Sequence, residues 1–554
     1  MTLSDYYKLL SMSILGYADE EAPENREKMA FVNDFQETQI DKITEFRTWY
    51  AGDSDALLNF YNYEGKVEYL TEPWYFKNKR SYFWVQSSKE NDIKRTHSGF
   101  ARDAIDTITA ICVGGKRAVR VGTAVNGLAE RKIGDYRAED LLLNYVKKSN
   151  FWSIIQKRQF PLTLVDGWGA IKISWDKGRL GNTPLMSFYG GHGCRIYKLE
   201  EKVMGMLFID YIKDARARNL MVCELRRLER DGTWTFVVDV YESVGNSDDM
   251  RKVDPEDKDL PIKPSVRKGM PLPYAAPISF YEDPLHISCG KSVLEGRIDI
   301  LDDLDQCLSQ AANTVRRSTP IEVFDSTYME KDVMTLAPKF PKSFERKYVK
   351  IQGVQSIDGG GGTNKPVEVT QPQINSGEYE SQAEYLKMSF LDGFMAPATM
   401  GINLSKTESQ GSQREKEKQT IFTKNALLNE EVPFVESILN QILCAIEFLN
   451  TGANTVMDWG VSVGFDELAN TAFESKIQFL ANALANNAIS PEMFVEKMYG
   501  DTIPEEIRKR EVEWISRKAE DAMGGRAKKM PEEDEDVAGD DMDFLSDMNP
   551  PVMG

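Results

Sequence analysis

A long helical pattern begins near residue 290. Apolar residues recur every three or four positions along one stripe, the opposite side is acidic, and Pro320 ends the pattern. The apolar stripe comprises Leu294, Ile298, Leu301, Leu304, Leu308, Ala311 and Val315. Ser292, followed three residues later by Glu295, matches a capping box, in which side chains bond orphan backbone N–H groups at a helix start. We therefore expect an amphipathic helix that starts with Ser292 as its cap.

Two further helical patterns follow in the C-terminal half. The second helix is predicted over 377–394, and the third over 413–449, where Pro433 predicts a kink. The residues between these two helices, 399–413, are rich in Ser, Thr and Gly and predict a mobile loop. Between the first and second helices, the short runs 321–325, 347–351 and 367–370 predict strands, and the glycine run 359–362 predicts a solvent loop.

The N-terminal half mixes helical and strand patterns. Helices are expected over 54–63 and 92–112, and strands are expected at 162–165, 169–175, 206–211 and 235–241. Asp231-Gly232 predicts a hairpin turn before the last of these strands, and the polar, proline-containing segment 243–277 predicts a loop or arm. Near the C-terminus, a strand is expected within 456–465 and helices over 467–486, 491–499 and 504–520. The chain therefore belongs to the α+β class.

Length and charge narrow the class of function. With 554 residues and 41% apolar residues, the chain is expected to form two to four structural units. The net charge is −19, and the segment from Lys518 onward alone carries eleven acidic against four basic residues. Tight nonspecific binding of DNA needs clustered Lys and Arg to neutralise phosphates. Such a chain could surround DNA, but we do not expect it to grip DNA tightly.

Cysteine, histidine and hydropathy patterns point to an intracellular, non-membrane protein. The six cysteines lie at 112, 194, 223, 289, 307 and 444, without CxxC spacing, and are expected to be buried thiols in a reducing compartment. His192 and Cys194 form an HxC pair with no second ligand pair, so no metal is expected. The N-terminus lacks a secretory signal, and the most apolar run, 438–449, is interrupted by polar residues.

Catalytic motifs do not occur in a convincing context. Gly290-Lys291-Ser292 could close a P-loop, but the glycine required five residues earlier is replaced by Leu285. The densest carboxylate group is the acidic side of the first long helix, with Glu295, Asp299, Asp302, Asp303 and Asp305. Paired carboxylates serve as hydrolase dyads or metal ligands, and on a helix surface they commonly form a solvated face. If copies of the helix lined a ring, they would form a negative wall that repels phosphate.

The order of these elements resembles that of tailed-phage portal proteins, the head-to-tail connectors. The similarity is strongest over about 280–520, and Trp49-Tyr50-Ala51-Gly52-Asp53 adds a weaker likeness to a turn after the first long helix of that family. The resemblance implies a mainly helical portal fold with wing, stem, clip and crown that assembles as a ring. It also implies that this chain needs no cofactor and catalyses no reaction, because ATP hydrolysis belongs to the partner terminase.

The resemblance divides the chain into regions. In order, they are an N-terminal arm (1–34), the α+β wing (35–289), the first stem helix (290–319), the clip (320–376), the second stem helix (377–396), the tunnel loop (397–413), a long kinked helix with a return to the wing (414–465), a helical crown (466–520) and a disordered acidic tail (521–554).

The resemblance also implies roles for particular residues. The tunnel-loop residues expected to face DNA are Asn403, Ser405, Lys406, Thr407 and Ser409. The residues expected at the channel wall, or in subunit contacts with Arg316, Arg317 and Lys387 of a neighbour, are Glu295, Asp299, Asp302 and Asp303. The implied partners are eleven further copies of the chain, the terminase large subunit, the major capsid protein and scaffold, neck or head-completion proteins, and duplex DNA. The alternatives are another ring-forming virion scaffold or adaptor, and a carboxylate-dependent hydrolase.

Overall fold

A computed structural model gives the architecture of the chain, which divides into two compact units, Met1–Leu468 and Ala469–Gly554. The structure describes residues 42–62, 82–85, 93–115, 117–122, 132–175, 183–199, 202–214, 218–243, 250–254, 260–283, 286–318, 321–325, 347–351, 367–370, 376–402, 410–452, 458–465, 480, 483–484, 489–499 and 505–524.

Helices account for much of the described chain. They are α1 (42–51), α2 (Ser54–Asn62), α3 (Phe100–Val113), α4 (Ala138–Lys148), α5 (Phe151–Ile154, the π-helical Ile155–Gln159 and Phe160–Asp166), α6 (Ile298–Arg317), α7 (Ser376–Leu391), α8 (Gln410–Thr451), α9 (Pro491–Tyr499) and α10 (Glu505–Gly524).

The strands of the first unit are mostly short. They are β1 (Arg117–Val121), β2 (Lys132–Ile133), β3 (Tyr136–Arg137), β4 (Trp168–Ser174), β5 (Leu185–Gly190), β6 (Cys194–Leu199), β7 (Lys202–Lys213), β8 (Asn219–Leu228), β9 (Trp234–Ser243), β10 (Met250–Lys252), β11 (Ser265–Met270), β12 (Ala275–Ser279), β13 (Glu282–Asp283), β14 (His286–Gly290), β15 (Ile321–Asp325), β16 (Lys347–Ile351), β17 (Val367–Thr370) and β18 (Val461–Phe465).

The largest sheet is an antiparallel meander in the order β10-β9-β8-β7-β6, with β11 also paired to β9. The predicted turn at Asp231-Gly232 joins β8 to β9. Gly232 has a φ of 82°, which a residue with a Cβ rarely adopts, and the Asp231 carboxylate accepts a hydrogen bond from the Thr233 N–H at 2.9 Å. The strands predicted at 206–211 and 235–241 are therefore confirmed as parts of one sheet.

A second sheet, in the order β12-β4-β5, contributes to the main core together with α3, α5 and α8. The strand predicted at 169–175 is confirmed as β4. The strand predicted at 162–165 is wrong, because those residues belong to α5, where a buried apolar run is equally compatible with a helix. The loop predicted over 243–277 is also wrong in part, because β10, β11 and the start of β12 lie within it and their backbones pair with neighbouring strands.

The Gly290-Lys291-Ser292 sequence ends a strand and does not start a helix. Gly290 closes β14, and its backbone approaches Gly167 so closely that a Cβ at either position would collide with the other backbone. The Ser292 hydroxyl donates to the Val165 carbonyl at 2.5 Å and accepts from the Leu294 N–H at 3.1 Å. The helix itself begins at Ile298, after Gly296 with a φ of 76°, so the predicted capping box and the start of the first stem helix at 290 are wrong.

α6 and α7 form an antiparallel pair, with a small sheet inserted between them in sequence. The start of α6 lies beside the end of α7, since Arg297 donates to the Asp392 carbonyl at 2.9 Å. The far end of α6 lies beside the start of α7, where the Thr314 and Tyr379 hydroxyls are 3.3 Å apart. All three predicted strands between the helices are confirmed. β15 is central, with β16 parallel on one side and β17 antiparallel on the other.

α8 is the central helix of the first unit and continues through Pro433. Its buried residues include Leu427, Val435, Ile438, Leu439, Ile442 and Leu443, all in the main core. Among the described residues, one helix, Glu417–Thr451, is long and apolar enough to cross a membrane by length and composition, and 61% of its most apolar window is buried within the protein. A central core helix has this character, because it is apolar on more than one face.

The second unit contains α9 and α10. The predicted cap of α9 is confirmed, since the Ser490 hydroxyl accepts a hydrogen bond from the Met493 N–H at 3.2 Å. The helices predicted over 491–499 and 504–520 are confirmed as α9 and α10, the latter continuing to Gly524. Most of the helix predicted over 467–486, the N-terminal arm and the acidic tail after 524 lie outside the described residues.

Candidate functional site: the acidic face of α6

α6 has an apolar face and an acidic face, as its sequence predicts. Ile298, Leu301 and Leu304 are buried in the main core, whereas Val315 near the end of the helix is 58% exposed. The acidic face does not simply point to solvent. Two segments of the same chain, 82–85 and 93–99, lie against it and supply hydrogen-bond donors to its side chains.

Successive residues of the first segment meet acids spaced three apart on α6. The Tyr82 hydroxyl donates to the Asp299 carboxylate in a short hydrogen bond, and the backbone N–H of the next residue, Phe83, donates to Asp302 at 2.8 Å. The indole N–H of Trp84 then donates to Asp305 at 3.1 Å. Three residues span slightly less than one helical turn, so Asp299, Asp302 and Asp305 lie along one face of α6. The segment beside that face is a turn, in which the Val85 N–H donates to the Tyr82 carbonyl at 3.1 Å.

The second segment completes the coordination of Asp305. Its carboxylate accepts from the Ser98 N–H at 2.8 Å, and His97 Nδ1 lies 2.6 Å from the same carboxylate. One turn further along α6, the Ser309 hydroxyl accepts from the Thr96 N–H at 2.9 Å. Asp305 is fully buried, and its burial is offset by three donors, because charge-assisted hydrogen bonds replace much of the lost hydration.

Asp302 is held differently from Asp305. It is only 4% exposed, and its Oδ1 atom is buried without a hydrogen-bond partner among the described residues. Burial raises the pKa of the Asp302 carboxyl to about 7; the Phe83 and Trp84 N–H groups oppose this shift, and Asp305 and Asp303 add to it. Near neutral pH this group therefore takes up a proton far more readily than an ordinary aspartate.

The other predicted wall residues occupy different environments. Glu295 precedes α6 and forms a partly exposed ion pair with Lys42 at 3.4 Å. Asp303 is exposed and lines an open, polar cleft of about 680 Å³ between α6 and α7, with Glu378 on the opposite side. The cleft is lined by Asp303, Gln306, Cys307, Gln310, Thr314, Glu378, Tyr379, Gln382 and Leu386. Asp303 and Glu378 give this surface its negative charge.

The structure thus separates the residues that the sequence grouped together. Asp299 and Asp302 bond to a segment of their own chain, and Asp303 faces the α6–α7 cleft. Of the residues proposed as neighbour contacts, Arg316 is exposed, and the Lys387 ammonium lies 5.8 Å from the centre of the Phe100 ring in the same chain. The Arg317 side chain lies outside the described residues. The residues predicted to face DNA, Asn403, Ser405, Lys406, Thr407 and Ser409, also lie outside them.

Sequence reasoning missed the importance of Asp305 and His97. The aromatic triplet Tyr82-Phe83-Trp84 and the acids at 299, 302 and 305 share a regular order, but their match is visible only once the two segments are placed side by side. The described residues include no group of three or more His, Cys, Asp or Glu that could hold a metal ion. Of the six cysteines, the five whose side chains are described are buried and outside any disulfide.

Comparison with known proteins gives matches among solved structures alone. No family model matches the chain, and no curated protein matches it. Among solved structures, the chain is similar to one from the neck of an empty GTA particle, computed with C6 symmetry. That match has 12% sequence identity, covers 71% of this chain and 87% of that chain, and has a TM-score of 0.34.

Proposed function

We propose that this chain is a portal protein of a tailed phage or phage-like particle. Twelve copies would form a ring at one vertex of the capsid, through which the genome is packaged and later ejected. The protein would reside in the virion and assemble in the host cytoplasm. The terminase large subunit and the neck or head-completion proteins would dock on the ring in turn, and the major capsid protein and scaffold would surround it.

The observation that carries the proposal is the arrangement of α6, β15–β17, α7 and α8. α6 and α7 form an antiparallel helix pair, and a small sheet is inserted between the two helices in chain order. After α7, the chain passes through the 3-10 helix Pro397–Met400 and residues 403–409 before the long α8 returns to the core of the body. This order corresponds to wing, first stem helix, clip, second stem helix, tunnel loop and long helix.

The distribution of charge supports a channel that does not hold DNA tightly. Asp303 and Glu378 are exposed on the α6–α7 pair, and the whole chain has a net charge of −19. A wall with this sign repels phosphates, so duplex DNA would pass through the ring without adhering to it. Asp299 and Asp302 support the fold of the subunit in this proposal, which leaves Asp303 as the wall residue on α6.

Catalysis is no part of the proposal. A hydrolase built on α6 would use Asp302 or Asp303. Asp302 already accepts a hydrogen bond from the Phe83 N–H of the same chain, and Asp303 is exposed at the α6–α7 cleft. Nucleotide hydrolysis would be supplied by the terminase, and the ring would provide the channel and the docking surface.

Imaging of the purified full-length protein tests the proposal directly. We expect negative-stain micrographs to show rings with an axial hole wide enough for duplex DNA, and native mass spectrometry to count about twelve copies. A monomer or dimer at every concentration would overturn it. A closed ring without an axial channel would instead identify another virion scaffold or adaptor.

A charge reversal in the assembled ring tests the wall. Asp303→Lys rings are expected to retain a short duplex DNA at low salt, because a ring of added positive charge attracts phosphate. Glu430→Lys is the matched control, since Glu430 is exposed on α8 and outside the α6–α7 cleft. Equal retention of DNA by the two variants would remove Asp303 from the wall, even if the rings themselves form.

A further inference from the structure

Glu431 is a carboxyl group in the middle of the protein core. It lies on α8 two residues before Pro433, and its side chain is 0% exposed. The neighbouring Glu430 is exposed, so this turn of the helix places one acid in the core and the next at the surface. Nothing in the proposed function requires a buried acid at this position.

Among the residues that the structure describes, a single amide donates a hydrogen bond to Glu431. The Gln159 Nε2 donates to Glu431 Oε2 at 3.0 Å, and Gln159, the last residue of the π-helical segment of α5, is also 0% exposed. The second carboxyl oxygen, Glu431 Oε1, and the amide oxygen, Gln159 Oε1, are both buried without partners among the described residues. Two buried polar atoms left unpaired in one contact would be costly, because each has lost its hydration.

Protonation of Glu431 supplies the hydrogen-bond donor that this pair lacks. An ionised carboxylate can only accept hydrogen bonds, and an amide oxygen can only accept as well, so the ionised pair lacks a donor. A protonated Glu431 gains an O–H that can donate to the Gln159 oxygen, while the Gln159 N–H donates to the acid. Acid and amide then satisfy each other, and no charge is buried.

The electrostatic surroundings favour the same state. Burial raises the pKa of the Glu431 carboxyl to about 8, and the hydrogen bond from Gln159 opposes this shift. On α3, which packs against this part of α8, Cys112 is a buried thiol whose pKa is raised to about 12 by burial, an effect that Lys424 opposes and Glu431 increases. Lys424 lies two turns before Glu431 on α8, and Gln159, the residue of α5 that bonds Glu431, is uncharged.

We propose that Glu431 is protonated in the folded protein and forms a neutral acid–amide lock with Gln159, which fastens α8 to the π-helical segment of α5 and opens when the carboxyl ionises. Pro433 lies in the same turn of α8. Pro433 has no N–H, so the carbonyl of Asn429, four residues earlier, lacks its helical donor. Ionisation of Glu431 therefore acts on a part of α8 that already has one main-chain hydrogen bond fewer.

Hydrogen exchange on the full-length protein measures this lock. Peptides covering 427–435 and 155–163 are followed across a pH series, and rates are corrected for the intrinsic pH dependence of exchange. The folded state keeps the proton and an opened state releases it. The local opening constant of the wild type is therefore expected to rise by about tenfold per pH unit between the ordinary pKa of 4.5 and about 8.

Two isosteric variants separate the lock from general effects of charge. Glu431→Gln can still exchange amide hydrogen bonds with Gln159 but cannot ionise, so its opening constant is expected to stay flat across this range. Glu430→Gln removes a neighbouring exposed acid and is expected to follow the wild type. A flat wild-type profile would overturn the proposal, and so would a Glu431→Gln variant that keeps the wild-type slope.

If Glu431→Gln does not fold, the wild-type measurement is sufficient. The slope of the logarithm of its opening constant against pH gives the number of protons released on opening. The lock does not depend on ring assembly. A monomer that shows the predicted slope supports it even if the proposed function is wrong, and rings with a flat profile contradict it without affecting the proposed function.

Discussion

The acidic face of α6 and the middle of α8 bury the same kind of group in opposite ways. On α6, Asp305 is surrounded by donors from Trp84, His97 and Ser98. On α8, the hydrogen-bond donor to Glu431 among the described residues is one amide, that of Gln159. A buried carboxyl can therefore be accommodated either as an anion that accepts several hydrogen bonds or as a neutral, protonated acid. Asp302 is intermediate, because it has few donors and its pKa is raised.

The largest effect is expected from Asp305→Asn. The Asn side chain keeps one oxygen as an acceptor, but its NH₂ group replaces the other carboxylate oxygen and faces a hydrogen-bond donor. The negative charge that strengthened all three contacts is also lost. We expect destabilisation by about 3–5 kcal/mol, the usual result of breaking a buried charged network. Urea unfolding and the hydrogen-exchange protection of 93–99 provide the measurement. Unchanged stability would show that Asp305, like Glu431, is accommodated without its charge.

Asp302→Asn is expected to act in the opposite direction and to depend on pH. Because the pKa of the folded-state carboxyl is raised from 3.8 to about 7, wild-type stability falls as the pH rises through this range. The variant has no such loss, so its advantage should grow over the same range and level off above about pH 7, at no more than about 4 kcal/mol. Glu430→Gln, which removes an exposed acid on α8, serves as the control.

The comparison between Asp302 and Asp305 depends on whether Asp302→Asn stabilises or destabilises the protein. Should Asp302→Asn be destabilising at all pH values, its charge would be needed for the contact with Phe83, and Asp302 would belong with Asp305 rather than with Glu431.

A smaller effect is expected from Tyr82→Phe. The change removes the hydroxyl that donates to Asp299 at the partly exposed end of the 82–84 segment, and leaves the ring in place. We expect a loss of roughly 0.5–1.5 kcal/mol, since water can replace the hydroxyl there. Hydrogen exchange of Phe83 and Trp84 would report it. A loss as large as that of Asp305→Asn would mean that the whole segment depends on this one bond.

The smallest effect on stability is expected from Asp303→Asn. Its carboxyl is exposed at the α6–α7 cleft, so the free energy of unfolding should change by less than about 0.5 kcal/mol. Thermal unfolding at neutral pH would measure this. A clear loss of stability would show that Asp303 belongs to the network that fastens α6, and would weaken its assignment to a channel wall.

The order of elements was largely predictable, but several boundaries were not. The apolar periodicity of α6, α7 and α8 and the short strands β15–β17 were visible in the sequence, because each pattern is local. The start of α6 was not, because Ser292 bonds to the Val165 carbonyl, a partner over a hundred residues away, instead of to a helix end. The apolar run at 162–165 was assigned to a strand for a similar reason, since local pattern alone does not separate a short buried helix from a strand.

The sequence by itself determined the mixture of helices and strands, the three long helices, the acidic stripe on α6 and the excess of negative charge, since all of these follow from residue types and their spacing. Only the tertiary structure decided what each acid does. Asp303 remains exposed, Asp305 is surrounded by donors, and Glu431 is left with a single amide. The physical reason is that the ionisation of a carboxyl depends on the donors, charges and water around it, and these come from segments distant in the chain.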